Sequence, residues 1–320
     1  MKTPGTPRSF FLVPVLAVLF IVTAIAGCSI HDTGYSRDAP AIAPSYAPND
    51  GRLVIHFIDV GQGDSTLIQY NGTTILIDAG EADAAPALVK YLKQHDVRAI
   101  DFLIATHPHS DHIGGMRAVL DSFTVRKVMD SGMPHTTSTY RNFIQAIENK
   151  KIPYVVPKIG DTFSPAPGLD FLVLNAPVDN TEDADLNDNS LVFRATYGRI
   201  NILFAGDIGT STEGNILRSG LPVESQLLKV AHHGSSHGTG TGFLDAVRPE
   251  AAFILVGADN PYNYPSEKTL GRLEDRGIIV FRTDTDGSIV VRTDGMEYSV
   301  ETERQGMYPF TVGSPAATVS

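Results

Sequence analysis

Thr106-His107-Pro108-His109-Ser110-Asp111-His112-Ile113-Gly114-Gly115 follows the apolar run Phe102 to Ala105 and leads into a helical pattern. It reads as a strand that stops, a loop that turns and a helix that starts. His107 and His109 stand two apart in an extended segment, so their rings project to one side. Pro108 between them fixes φ and offers no backbone donor, which stiffens that presentation. Asp111 and His112 follow where the chain changes direction, and Gly114-Gly115 lets the backbone pass close to whatever lies there. Imidazole nitrogen and carboxylate oxygen at this spacing make a metal site of the kind that suits zinc, manganese or iron.

Three further words surround it in order. They are Asp59-Val60-Gly61-Gln62-Gly63-Asp64-Ser65, Asn187-Asp188-Asn189-Ser190-Leu191 and Leu228-Lys229-Val230-Ala231-His232-His233-Gly234-Ser235. Five of the ten histidines fall in the two histidine-bearing windows, which points to a single centre. With these words the chain resembles the metallo-β-lactamase superfamily. Within it, the chain is similar to the branch that includes the extracytoplasmic nuclease-like domain of the competence protein ComEC. The likeness runs from about residue 51 to residue 302.

That resemblance implies a single-domain α/β fold, the four-layer αββα sandwich, over residues 51–302, with two divalent metal ions (zinc or manganese) at its sheet edges. On the family pattern Asp78, which ends a buried strand, orients a ligand histidine, and Asp207 bridges both metals. Site one takes His107, His109 and the bridging carboxylate. Site two takes Asp111, His112 and one residue of the pair His232-His233; His232 is favoured as ligand, with His233 as its close polar partner. Much of the superfamily has a third histidine where this chain has Asn189 and Ser190. An amide oxygen or water then completes site one, and the harder ligand set moves the metal choice toward manganese.

The remaining site candidates are less specific. Asp64, after the glycine turn, is either a site residue or a turn-capping carboxylate. The branch commonly has a histidine just before Pro-Ser, but here Tyr264 precedes Pro265-Ser266. A tyrosine donates a hydrogen bond but hardly shuttles protons at neutral pH. Tyr264, Ser266 and His237 are the candidate substrate contacts, although His237 reads first as a surface residue of a Gly/Ser/Thr-rich loop. Elsewhere, Asn71-Gly72 between apolar runs predicts a hairpin, and the pattern over 84–95 predicts an amphipathic helix ending in a solvated His95.

The chain ends read differently. Lys2 and Arg8 precede a mostly apolar segment, broken by Pro14, that closes on Ile25-Ala26-Gly27-Cys28. This resembles a bacterial lipoprotein signal with Cys28 as the lipidated residue, and the run is short for a spanning anchor. The expectation is a signal peptide over 1–27, a flexible tether over 28–50 and a disordered tail over 303–320. The product would be an exported lipoprotein attached to a membrane of the cell envelope. Cys28 is the only cysteine, so no disulfide is available and the core alone must hold the domain.

Charge limits the partners. The chain carries a net −11, which becomes −13 once residues 1–27 remove Lys2, Arg8 and no acid. That argues against a broad electrostatic clamp on nucleic acid. Phosphodiester chemistry stays open, because two divalent ions bring their own positive charge. The expected function is an extracytoplasmic metal-dependent hydrolase whose dinuclear centre activates a hydroxide against a phosphodiester, DNA first. Asp111, Asp207, His233 and Asp64 are its catalytic candidates. The alternatives are a phosphocholine ester of the envelope as substrate, or metal binding without turnover. The membrane enters through the lipid anchor, and no protein partner is evident.

Overall fold

Asn71-Gly72 makes the turn its sequence predicts. Thr66–Tyr70 and Thr73–Ile77 pair antiparallel with Tyr70 opposite Thr73, and Asn71 (φ 46°) and Gly72 (φ 80°) are both left-handed, as a tight hairpin with right-twisted strands requires. This computed structural model describes residues 51–177 and 185–311, all within one compact unit, Ala43–Ser320. The expected signal peptide, Cys28, the tether, residues 178–184 and the last residues of the tail lie outside the described residues.

The hairpin belongs to a nine-stranded sheet. Its order is Gly306–Thr311, Glu297–Thr302, Ile289–Thr293, Leu53–Phe57, Thr66–Tyr70, Thr73–Ile77, Phe102–Ala105, Val128–Asp130 and Tyr154–Val155. From Thr73–Ile77 outward to Tyr154–Val155 the neighbours run parallel. A seven-stranded sheet runs Ile279–Arg282, Ala251–Ile254, Leu227–Lys229, Ile200–Phe204, Val192–Tyr197, Leu169–Asn175, Thr162–Ala166. Here too the run from Ile200–Phe204 to Ile279–Arg282 is parallel.

Side chains alternate across each strand, so each sheet has two apolar faces to cover. Ile75 and Ile77 join Phe57, Phe171, Phe193, Phe204 and Phe253 in the core between the sheets, where Phe57 stacks on Phe253 at 4.2 Å. Leu76, between them in sequence, faces the other way. It packs with Leu88 and Leu92 of helix Ala85–Gln94, Val119 and Leu120 of Met116–Ser122, and Phe143 of Ser138–Lys150. The second sheet is covered likewise by Ile216 of Thr210–Ser219, Phe243 and Val247 of Thr241–Val247, and Leu273 of Glu267–Glu274. Helices, sheet, sheet and helices give the four-layer sandwich expected.

Two expectations change. The strand Gly306–Thr311 pairs along the whole of Glu297–Thr302, so the fold continues past residue 302. An edge strand is held by main-chain pairing, which composition does not report. His95 is not a solvated helix end; its ring packs on His56 and Tyr91, with centroids 4.6 and 4.3 Å away. Among the described residues no helix is long and apolar enough to cross a membrane.

The parallel strands of both sheets deliver the polar residues. Asp78 follows Thr73–Ile77, Thr106 follows Phe102–Ala105, Asp207 follows Ile200–Phe204, and His232-His233 follow Leu227–Lys229. Such carboxyl ends are where open α/β sheets hold their ligands.

Candidate metal centre

The first half of the centre is built on Asp78. It is buried and left-handed (φ 58°), so its carboxylate turns back across the neighbouring strand end. Thr106 N donates to its Oδ1 at 2.8 Å, Thr106 Oγ1 to its Oδ2 at 2.7 Å, and His112 Nδ1 to the same Oδ2 at 2.8 Å. A histidine whose Nδ1–H is committed in this way presents Nε2 outward, which fixes the tautomer a metal needs. Gly63 explains how the loops fit together. Its φ is 121°, and a Cβ there would lie 2.2 Å from Asp111 O, so only glycine lets the 59–65 loop close on the histidine loop.

The second half comes from the other sheet. His232 (φ 49°) and His233 (φ 52°) are successive left-handed residues inside the turn Ala231–Gly234. Non-glycine residues rarely adopt that conformation, and two in a row point to a site where geometry outweighs comfort. The turn aims His233 inward. Its Nε2 lies 3.2 Å from Asp111 Oδ2 and 3.3 Å from Asp207 Oδ2. Its Nδ1 donates to Leu255 O at 2.9 Å, which leaves Asp64 Oδ1, 3.2 Å from the same nitrogen, without a hydrogen bond of its own.

The halves meet at Asp207. His112 Nε2 lies 3.2 Å from Asp207 Oδ2, buried and with no hydrogen-bond partner. Among the described residues, four overlapping groups therefore offer donor atoms within metal-binding reach: His107, His112 and Asp207; Asp111, His112 and His233; Asp64, Asp207 and His233; Asp64, Asp78 and His112. The electrostatics agree. Burial would raise Asp207, but His233 and His112 hold its carboxyl well below the ordinary range. Burial would lower His112 and His233, but Asp207 foremost among the carboxylates holds both well above it. His107 is kept well below by burial and then by His112, so it is neutral and keeps a lone pair. A buried donor set this rich in carboxylate selects a cation, and the residues present fit divalent metal ions.

Several sequence-based assignments change position. His233, not His232, points into the cluster; His232 Nε2 is 4.0 Å from Asp207 Oδ2 and its side chain is 26% exposed. His109 lies beside the cluster, its Nδ1 2.9 Å from His107 Nε2, and lines the cavity above it. Asn189 turns away, its Nδ2 donating to Asp185 O at 2.8 Å. Asn187 lines the cavity instead, with a buried Oδ1 that has no hydrogen-bond partner, and is the amide oxygen available to site one. Ser190 is buried behind the bridge, its Oγ accepting from Asp207 N at 3.2 Å. Ser266 caps the helix Glu267–Glu274 by accepting from Thr269 N and stands apart from the cavity. His237 is exposed and held through Ser235 rather than facing the cavity. Asp64 lies beneath the cluster.

The residue missed is Lys229. Its side chain is 3% exposed, and its ammonium pairs with Asp64 Oδ2, lies 3.7 Å from Asp207 Oδ1 and donates to Gly206 O at 3.3 Å. Burial would lower it, but Asp64 and Asp207 raise it above its ordinary value, so it stays charged. A signal existed: a lysine inside an apolar central strand needs a buried counter-charge. Above the cluster opens a cavity of about 270 Å³, walled by Gln62, Glu81, Asp111, Asn187, His232, Tyr262 and Tyr264. Gln62 and Glu81 had no chemical signal in the sequence.

Fold and ligand groups together define a metallo-hydrolase, and the chain belongs to the metallo-β-lactamase superfamily, which it matches over residues 58–258. Among curated proteins it is similar to the ComE operon protein 3 of Bacillus subtilis, 28% identical over 256 residues, covering 74% of this chain and 33% of that protein. It is similar also to the competence protein ComA of Neisseria gonorrhoeae, 29% identical over 250 residues, with 77% and 33% covered. The chain thus spans about a third of the length of these relatives. Among solved structures, Igni18, a metallo hydrolase from Ignicoccus hospitalis, shares the fold at a TM-score of 0.50 and 16% identity, with 74% of this chain and 98% of that one covered.

Proposed function

We propose that this protein is an extracytoplasmic, lipid-anchored phosphodiesterase that cleaves DNA. The observation that carries the reading is the convergence of ligands from both sheets on Asp207 Oδ2, beneath a cavity open to an incoming ester. Similarity to competence proteins favours DNA over other esters.

His107, His109 and Asp207 would hold one divalent ion, with the Asn187 Oδ1 available to it, and Asp111, His112, His233 and Asp207 the other. Bound there, the ions would supply Lewis acidity and acidify a water toward neutrality. The chain's own residues do the rest. Asp78 and Leu255 O fix His112 and His233 at Nδ1 so that their Nε2 atoms face inward. Lys229 lies on the Oδ1 side of Asp207, which leaves Oδ2 for the cluster. Burial would raise Asp111, but His112 and His233 keep its carboxyl well below the ordinary range. It therefore stays ionised, as a metal ligand must.

The test incubates the full-length chain with labelled single- and double-stranded DNA under manganese, zinc or chelator. Cleavage that a metal restores after chelation is expected. No cleavage under any metal, with hydrolysis of glycerophosphocholine, would transfer the reading to a phosphocholine ester. No turnover on either would leave a metal-binding lipoprotein. Membrane attachment belongs to the same reading. Cys28→Ala should block lipidation and the removal of residues 1–27, and a variant whose mature N-terminus and membrane fraction match wild type would reject the anchor.

A further inference from the structure

The loop that replaces the family's histidine puts two aromatic rings at the mouth of the metal cavity. Tyr262 and Tyr264 stack with centroids 5.5 Å apart and planes 23° from parallel, and Tyr264 meets the edge of His232 at 5.7 Å. Tyr262 is 59% exposed, although it lines the same cavity as Asp111, Asp207 and His233. An exposed aromatic is ordinarily a flexible surface group, but this one stands on a fixed base. Asn260 Oδ1 accepts from Tyr262 N at 3.2 Å and from Tyr264 N at 3.0 Å. Its Nδ2 donates to Gly257 O at 2.9 Å and to Tyr264 O at 2.8 Å. One amide thus ties the loop at four points, so little ordering entropy remains to be lost when a ligand lands on it.

The cavity wall also lacks a feature. Among the described residues lining it there is no lysine or arginine, and the whole chain is acidic. A phosphodiester held only by metal ions would be gripped at a single phosphate, with no basic track for the rest of a strand. Affinity beyond that phosphate must come from another kind of contact, and the one present is a flat π-face beside the cluster. In a duplex both faces of a base are occupied by its neighbours. Only an unpaired base can lay a face on Tyr262.

We propose that Tyr262, backed by Tyr264, is a stacking platform for an unpaired nucleobase next to the cleaved phosphate, and that it makes single-stranded DNA the preferred substrate. This rests on the phosphodiesterase reading. Stacking of this kind tolerates any base, so the platform selects strandedness and not sequence.

The probes are a single-stranded tetranucleotide carrying 2-aminopurine, the same strand with an abasic site at that position, and a longer hairpin whose paired stem contains the same four nucleotides. The metal-loaded full-length chain should cleave the first with a KM about tenfold below the other two. Tyr262→Ala should erase that advantage through KM while kcat changes less than twofold, and Tyr262→Phe should keep it. Quenching of 2-aminopurine fluorescence by chelated protein reads the platform without turnover. Quenching lost in Tyr262→Ala, with no diester cleaved, would keep the platform and reject the phosphodiesterase reading. Cleavage indifferent to strandedness or to Tyr262→Ala would keep the phosphodiesterase and reject the platform. Neither cleavage nor quenching would reject both. If Tyr262→Ala raises KM only for glycerophosphocholine, with no effect on the oligonucleotides, the rings serve a quaternary ammonium and the proposal is overturned.

Discussion

Six consecutive residues, His107 to His112, supply the first half of the metal cluster, whereas the second half is assembled from the ends of two neighbouring strands. Asp207 follows one strand, and His233 follows the next after a left-handed turn. The first half is braced by an anion, Asp78, behind His112; the second sits over a cation, Lys229, beneath Asp207. The contiguous half takes its ligands from one short segment and needs only the Asp78 brace and the Gly63 loop around it. The assembled half needs its sheet, its turn and its buried ion pair in place before its ligands face anything. Perturbing the supports of the second half should therefore cost more than equivalent changes around the first.

The largest effect is expected at the histidine pair. His233→Ala removes an inward nitrogen and should lower both bound metal and turnover by about 100- to 1,000-fold, whereas His232→Ala should keep its metal and lose about tenfold or less. Metal analysis of the two variants side by side decides it. Equal losses would mean that the turn does not separate the two rings, and the reverse order would restore His232 as the ligand.

Next comes Lys229. Lys229→Met leaves Asp64 and Asp207 buried without their shared cation and should cost about 3–5 kcal/mol in denaturant unfolding. Adding Asp64→Asn removes one of the stranded charges and should recover much of that. A loss below about 1 kcal/mol in the single variant would show that the ion pair supports nothing.

Most of the fold was legible in the sequence because its signals were local. The apolar runs ending in Asp78 and Asp207, the Asn71-Gly72 hairpin and the helical spacing of Leu88 and Leu92 each follow from short-range geometry. The first half of the site was legible for the same reason, since His107 to His112 lie on one short segment. The second half was legible in composition but not in orientation. Nothing in His232-His233 announces two left-handed residues, so the ring facing inward could not be read from order along the chain. Asn187 and Asn189 carry the same amide two residues apart, and only the turn Asp185 makes with Asn189 separates them. Gln62 and Glu81 reach the cavity by three-dimensional accident of the loops. The strand Gly306–Thr311 was lost because backbone pairing leaves little mark on side-chain pattern.

The left-handed turn also bears on which substitutions position 232 would accept over generations. If His233 carries the metal, the residue before it answers first to its own dihedral angles. At φ 49° and ψ 50°, β-branched residues are strongly disfavoured, and glycine, asparagine, aspartate and histidine are favoured. A random library at 232, selected only for stable protein, should return that short alphabet. One selected for turnover should narrow it further toward histidine. The gap between the two alphabets measures what chemistry asks of His232 beyond shape.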